Sequence, residues 1–385
     1  MPIKIVADEN IPYVKEAFSA LGEVVTQPGR SLCQKDLDDA ELLLVRSVTP
    51  VNSDLLQGTN IRYVASATIG FDHLDIDYLR QKNIPWTTAP GCNAIAAAEY
   101  VTAAIFHAAS KKGENLAGKT VGIIGCGNVG SAVQSRLSAL GMQCMINDPP
   151  LQQQHPDGHY VTLDQALQAD YITLHVPYTT LGEYPTRHLI HQENLPKIAP
   201  DAVLINAARG SVIHNQALLQ HCKHHPQFQA ILDVWEPEPA FNPELLEHCL
   251  LGSPHIAGYS LEGRVRGTQM IYRAVCEYFS CPADWNMAMA LPDNKNWKID
   301  LTTREPSENL VAIAIQQAYN IKDDDDSMRE IASLPPAERG QQFDLLRKNY
   351  PLRREFSTFT VILDPAQASF RQPLIQLGFN VTDMA

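Results

Sequence analysis

Three short stretches carry side chains able to oxidise an alcohol beside a carboxylate. INAARGS (205–211) places Arg209 just beyond an apolar run, and LDVWEPEP (232–239) places Asp233, Glu236 and Glu238 beyond the next. SPHIAGYS (253–260) then supplies His255. A planar guanidinium grips a carboxylate or ketone oxygen with two hydrogen bonds. An imidazole can take a hydroxyl proton while hydride leaves the same carbon. A neighbouring carboxylate fixes the histidine tautomer and favours the imidazolium. These are the groups that oxidation of a 2-hydroxy acid requires. Without them, His255 would read as a hydrogen-bonded core histidine.

That chemistry needs a hydride acceptor, and residues 119–150, KTVGIIGCGNVGSAVQSRLSALGMQCMINDPP, have the form of a dinucleotide site. Gly125, Gly127 and Gly130 stand in GxGxxG spacing directly after an apolar run. The first permits a tight turn, the second lets a pyrophosphate approach the backbone, and the third allows close helix–strand packing. A helix starting near Asn128 aims its N–H groups and positive dipole end at the phosphates. Asp148, 18 residues past Gly130, ends the following strand, where its carboxylate can accept both adenosine ribose hydroxyls. Its charge repels a 2′-phosphate and no arginine follows it directly, so NAD is expected over NADP.

The elements that must position these groups alternate. IKIV (3–6), LLLV (42–45) and YVASA (63–67) read as buried strands with helical stretches between them. A second series, VGIIG (121–125), CMIND (144–148), YITLHV (171–176), AVLINA (202–207) and QAILDV (229–234), repeats the pattern. Such alternation implies parallel sheets. Residues 94–111 read as one long connecting helix, and 261–279 as a helix crossing back to the first series. Beyond a cluster of Pro, Asn, Asp and Trp at 282–306, helical patterns (307–320, 337–348) flank the strand-like FSTFTVIL (356–363). DDDD (323–326) reads as a solvated helix start, and Arg264 and Arg266 as a solvated helix face.

The bulk properties narrow the class. With 385 residues, two or three domains are expected. A formal net charge of −13 without a basic block argues against nucleic acid. The N-terminus lacks a signal-peptide pattern, and the apolar stretch 94–109 is too short to span a bilayer. Eight scattered cysteines without a CxxC pair fit reduced thiols, so a cytoplasmic protein without membrane association is expected. HCKHH (221–225) lacks a second half for a zinc site, so no metal is expected. Cys92 and Cys126 read as packing residues, and His73 as a structural hydrogen-bonding group.

GCGNVG with Asp148, NAARG, DVWEPEP and PHIAG, in this order and spacing, resemble the NAD-dependent D-2-hydroxyacid dehydrogenases over roughly residues 40–280. The resemblance implies Arg209 as the catalytic arginine, His255 as the acid/base and Glu238 as its partner. Glu236 is the local competitor, and Glu238 is favoured for standing directly before a proline in EP. It extends the NAD site to Val129, Val176, Ala207, Ala208, Arg209, Asp233 and Gly258, the last letting nicotinamide approach the backbone. Val176 departs from relatives that carry a hydroxyl there. LVRSVTPVN (44–52), GCNAIA, HIAGYSLEGRVRGT (255–268) and the C-terminal extension resemble one branch of the family that acts on a phosphorylated 2-hydroxy acid. That implies Ser47, Thr68 and Tyr259 as substrate-binding residues and a homodimer formed through the extension. Arg46 is a phosphate candidate, with a surface arginine as its alternative. A different phosphorylated acid, such as 3-phosphoglycerate, and an NAD-sensing regulator that keeps the fold stay open.

The expected architecture is therefore α/β. A flavodoxin-like substrate domain spans 1–93, completed by 260–285. A Rossmann-type NAD domain spans 94–259, and a C-terminal α+β dimerisation domain spans 286–385.

Overall fold

The computed structural model describes residues 3–294, 296–305 and 309–384. Two compact units result, one of residues up to Asn93 with Ser260–Asp293, the other of Ala94–Tyr259 with the residues from Asn294 onward.

The first unit is built on a parallel sheet of β1 (Ile3–Asp8), β2 (Gly22–Gln27), β3 (Leu42–Val45), β4 (Tyr63–Ser66) and β5 (Trp86–Thr87). Their order, β2-β1-β3-β4-β5, is the flavodoxin-like one. β3 and β4 are buried along their whole length, which is why they read as unbroken apolar runs instead of alternating ones. The helix Leu261–Tyr278 returns to this sheet, and the Ser260 hydroxyl caps it by accepting the Gly263 N–H at 2.8 Å. Val265, Ile271, Tyr272 and Val275 form its inner face. Arg266 is half-buried and donates to the Cys92 carbonyl at 2.5 Å, and Arg264 is half-buried too, so the expected solvated face is not what forms. Trp285, Met287, Ala290 and Leu291 pack on the same core, which puts the boundary near 294 and not at 286.

In the second unit β6 (Thr120–Ile124), β7 (Gln143–Asn147), β8 (Tyr171–Leu174), β9 (Val203–Asn206), β10 (Gln229–Leu232) and β11 (Leu251–Gly252) pair in parallel, ordered β11-β10-β9-β8-β6-β7. The chain leaves β6 to one side for β7 and returns to its other side for β8. That reversal opens a crevice at the carboxyl ends of the strands, where ligands of such sheets bind. The alanine-rich helix Ala94–Lys112 is buried on nearly every face, as a helix apolar all round must be.

A small parallel sheet of β12 (Lys298–Asp300), β13 (Thr360–Leu363) and β14 (Asn380–Asp383) belongs to this unit. Leu310, Ile315, Val361 and Leu374 share one apolar core with Val121 and Val133. The helix Ile321–Ala332 corrects the reading of DDDD. Asp325 is 2% exposed, pairs with Arg329 at 2.9 Å and accepts the Gly252 N–H. Asp324 accepts the hydroxyls of Tyr319 and Tyr350, and burial pushes its carboxyl up to about 6. Half of the acidic run is interior.

A buried carboxyl joins the long helix to the C-terminal segment. Glu99 accepts the Phe356 N–H at 2.9 Å and lies 3.7 Å from Arg136. Burial first, then the charge of Glu355, raise it to about 8 against Arg136, Arg353 and that N–H. An unfolded glutamate titrates near about 4.3. The folded state therefore binds the proton more tightly, and this contribution to stability is full below the unfolded value and lost as pH rises toward 8. Thermal unfolding of Glu99→Gln should show a flatter melting temperature between pH 5 and 8 than the parent. Parallel curves would remove this assignment.

Candidate active site

Each candidate side chain of the second unit stands at the carboxyl end of a strand. Arg209 follows β9 in a loop pinned by Asn206, whose amide accepts the Ala208 N–H and donates to the Arg209 carbonyl, both at 3.0 Å. The guanidinium is half-buried, with Nη1 donating to the Ala208 carbonyl at 2.8 Å. After β10, the Glu238 carboxylate accepts the Trp235 N–H through one oxygen at 2.9 Å and meets His255 Nδ1 through the other at 2.7 Å. A carboxylate only accepts, so Nδ1 carries the hydrogen and Nε2 of the neutral ring keeps its lone pair. Burial raises the Glu238 carboxyl, but the charge and hydrogen bond of His255, the Trp235 N–H and the charge of Arg347 together hold it below its ordinary value.

Glu236 has another partner. It meets His188 Nε2 at 2.8 Å and draws together the segments at 188 and 215. The two carboxylates of EPEP thus serve two histidines, and His255 is paired with Glu238.

The loop that carries His255 is tightly determined. His255 has φ of 59°, a left-handed conformation uncommon for a side chain beyond glycine, asparagine and aspartate. Asp233, 1% exposed, fixes it by accepting from the Ser253 hydroxyl at 2.6 Å and from the Ile256 and Ala257 N–H groups at 2.8 and 2.9 Å. The Ser253 carbonyl takes the Trp235 indole N–H at 2.9 Å. Asp233, expected as a cofactor contact, braces the loop that carries His255. Gly258 directly follows that braced segment.

The dinucleotide fingerprint passes its geometric test. Gly125 has φ of 88°, and a side chain there would strike the backbone of His175 at 2.8 Å. A side chain on Gly130 would fall 2.0 Å from the Gly125 carbonyl oxygen, whereas one on Gly127 would meet nothing within 4 Å. The first and third glycines are packed, and the second borders open space. The helix Asn128–Ala139 has no side-chain cap at Gly127, so the N–H groups of its first turn, at Asn128 and Val129, keep their bonding capacity for phosphate. Asp148 is oriented by the Cys126 N–H at 2.7 Å and the Leu151 N–H at 2.9 Å. A carboxylate has about four acceptor positions, so two remain for ribose hydroxyls. Ala207 and Val176 are half-buried nearby in sequence to Arg209 and β8, and Ala208 is buried. The residues present fit NAD.

On the first unit, Ser47 is exposed and Thr68 half-buried, each following the carboxyl end of its strand, β3 or β4. The Thr68 hydroxyl bonds Ser66 Oγ at 2.8 Å, and Ser66 bonds His73 Nε2 at 2.9 Å. Arg46 turns toward the N-terminal loop, donating to the Asn10 carbonyl at 3.4 Å.

Residues 93–257 match the family model described as D-isomer specific 2-hydroxyacid dehydrogenase, NAD binding domain, and residues 290–378 match a domain of unknown function, DUF3410. Over 381 residues the chain is 44% identical to the erythronate-4-phosphate dehydrogenase of Cronobacter sakazakii, with 99% of each chain covered. The chain belongs to the erythronate-4-phosphate dehydrogenase family. Another erythronate-4-phosphate dehydrogenase, from Cellvibrio japonicus, is also 44% identical, covering 98% of this chain and 100% of that one. Among solved structures, the D-lactate dehydrogenase of Aquifex aeolicus, complexed with NAD and lactic acid, aligns with a TM-score of 0.60 at 25% identity. It covers 72% of this chain and 95% of its own. NAD is the cofactor of this erythronate-4-phosphate dehydrogenase family member.

Two arginines that sequence reasoning passed over join the site from the C-terminal segment. Arg353 donates to the carbonyls of Ala257 and Ala96, and Arg347 donates to the Tyr259 hydroxyl. The only signal for them was an arginine-rich stretch, RKNYPLRRE (347–355), in a region without a motif.

Proposed function

We propose that this protein oxidises 4-phospho-D-erythronate to 2-oxo-3-hydroxy-4-phosphobutanoate with NAD, a step of pyridoxal 5′-phosphate biosynthesis. The observation that carries the reading is the 2.7 Å pair of His255 and Glu238 at the carboxyl edge of an NAD-binding sheet. It lies in a chain that matches erythronate-4-phosphate dehydrogenases along almost its whole length. NAD, when bound, accepts hydride from substrate C2. Arg209 holds the substrate carboxylate and polarises the C2 oxygen, His255 Nε2 takes the C2 hydroxyl proton, and Glu238 stabilises the imidazolium. Ser47, Thr68 and Tyr259 hold the rest of the substrate.

The test is NADH formation from 4-phospho-D-erythronate, run beside 3-phosphoglycerate and with a 2-oxo acid present to recycle tightly held cofactor. A clear preference for the erythronate is expected. Equal or better turnover of 3-phosphoglycerate, or none of either, would overturn the assignment. In the same reading the C-terminal segment from Asn294 onward joins two copies of the chain, supported by the exposed apolar side chains of Leu352, Ile375 and Met384. Sedimentation of the full chain at a monomer's mass would remove that part.

Glu238→Gln separates the two carboxylates. Glu238 holds the tautomer that leaves His255 Nε2 as the proton acceptor, so its replacement by the amide should reduce kcat on the order of 10²–10⁴-fold. Glu236→Gln, whose carboxylate serves His188, should leave kcat close to the parent's. A loss of kcat in the second variant and not the first would reverse their roles.

A further inference from the structure

We propose that Arg347, on the helix Pro336–Lys348, binds the phosphate of the substrate together with Tyr259. The inference rests on the functional reading above and adds the group that selects a phosphorylated acid. Tyr259 lies four residues past His255 in the same loop, and Arg347 Nη2 donates to its hydroxyl at 3.3 Å. The guanidinium lies 5.9 Å from the centroid of the Tyr259 ring. A side chain from the C-terminal segment therefore reaches the loop that carries the acid/base.

Among the described residues, Arg347 has no carboxylate in close contact. Its side chain is only 15% exposed, and the nearest carboxylate in its ion pairs, Asp344, stands 4.0 Å away. Among the described residues its one hydrogen bond is the one to Tyr259, and Nε is buried with no partner. Glu238 lies within range of its charge, but both carboxylate oxygens there are already engaged by Trp235 and His255. Other arginines of the same segment are treated differently. Arg329 is clasped by Asp325 at 2.9 and 3.0 Å, and Arg353 reaches two carbonyls. Taking a cation out of water without a close counter-charge is costly, and an anionic ligand offsets that cost.

The substrate has two anionic ends. Arg209 serves the carboxylate beside C2, so a simple 2-hydroxy acid would leave a second half-buried arginine without a task. A phosphate at the far end supplies one. The guanidinium fork matches two phosphate oxygens, and the Tyr259 hydroxyl can donate to a third.

Steady-state kinetics of the full-length NAD enzyme with 4-phospho-D-erythronate and with unphosphorylated D-erythronate test this. Arg347→Met should raise KM for the phosphorylated acid about 10–100-fold, the loss of a charge-assisted hydrogen bond. KM for D-erythronate should stay within about twofold on the same argument, so the preference for phosphate collapses. Arg347→Gln, which keeps an amide donor for Tyr259 and loses only the charge, should lose the preference as well and serves if the Met variant does not fold. Competitive inhibition by inorganic phosphate should weaken in step in both variants. A preference that survives both substitutions, including the case where both substrates decline equally, overturns the phosphate role and leaves the function intact. A parent enzyme with no preference for the phosphorylated acid overturns the functional reading and this inference with it.

Discussion

His255→Asn is expected to lower kcat on the order of 10³-fold while leaving NAD affinity unchanged. Asparagine is the informative replacement because residue 255 has φ of 59°. Asparagine tolerates that left-handed conformation, whereas alanine would add backbone strain to the loss of the imidazole. The loop itself does not depend on the ring, since Asp233 holds the backbone at Ile256 and Ala257 and accepts the Ser253 hydroxyl. What the variant loses is the imidazole whose Nδ1 is fixed by Glu238, and with it the proton acceptor of the proposed reaction. Single-turnover NADH formation and NAD titration of the same preparation separate the two effects. Near-parental turnover with intact NAD binding would remove His255 from the mechanism. Loss of NAD affinity equal to the loss of turnover would instead make it a structural residue of the loop.

The legibility of this site in the sequence follows sequence distance. Strands β6, β8, β9 and β10 are buried along nearly their whole length, so each appears as an apolar run. GxGxxG, NAARG and EPEP sit directly after such runs, and short-range spacing was enough to place them. Edge strands were harder. β2 and β14 are partly exposed, and their mixed composition resembles a loop. The interior half of DDDD was hidden because Asp325 is identified as buried only through its contacts with Gly252 and Arg329. Glu236 and Glu238 look interchangeable in EPEP, and only the fold assigns one to His188 and the other to His255. Arg347 and Arg353 lay beyond any local pattern, since their partners stand 88, 96 and 257 residues away.

Those long-range partners make Arg353→Met the second substitution with a large expected effect. Arg353 is 5% exposed, lies 3.8 Å from the Tyr319 ring centroid, and donates to the Ala257 carbonyl at 3.0 Å and the Ala96 carbonyl at 2.7 Å. It also contributes positive charge beside Glu99. Methionine of similar length keeps the apolar contact but leaves two buried carbonyls without this donor and removes a cation from a buried network. A hydrogen bond from a charged group contributes about 1.5–3 kcal/mol, so the loss of two should cost about 3–5 kcal/mol. Arg353→Lys should recover only part of it, because one ammonium group does not reproduce a fork that spans two chain segments. Function should follow through the loop. The Ala257 carbonyl immediately precedes Gly258, so releasing it loosens the segment between His255 and Tyr259 from the C-terminal side. Urea unfolding together with NAD titration reads both consequences. Stability within 1 kcal/mol of the parent would show that the arginine is not a brace. Destabilisation with unchanged NAD affinity would show that Asp233 alone determines the loop and that the C-terminal segment adds stability without shaping the cofactor site.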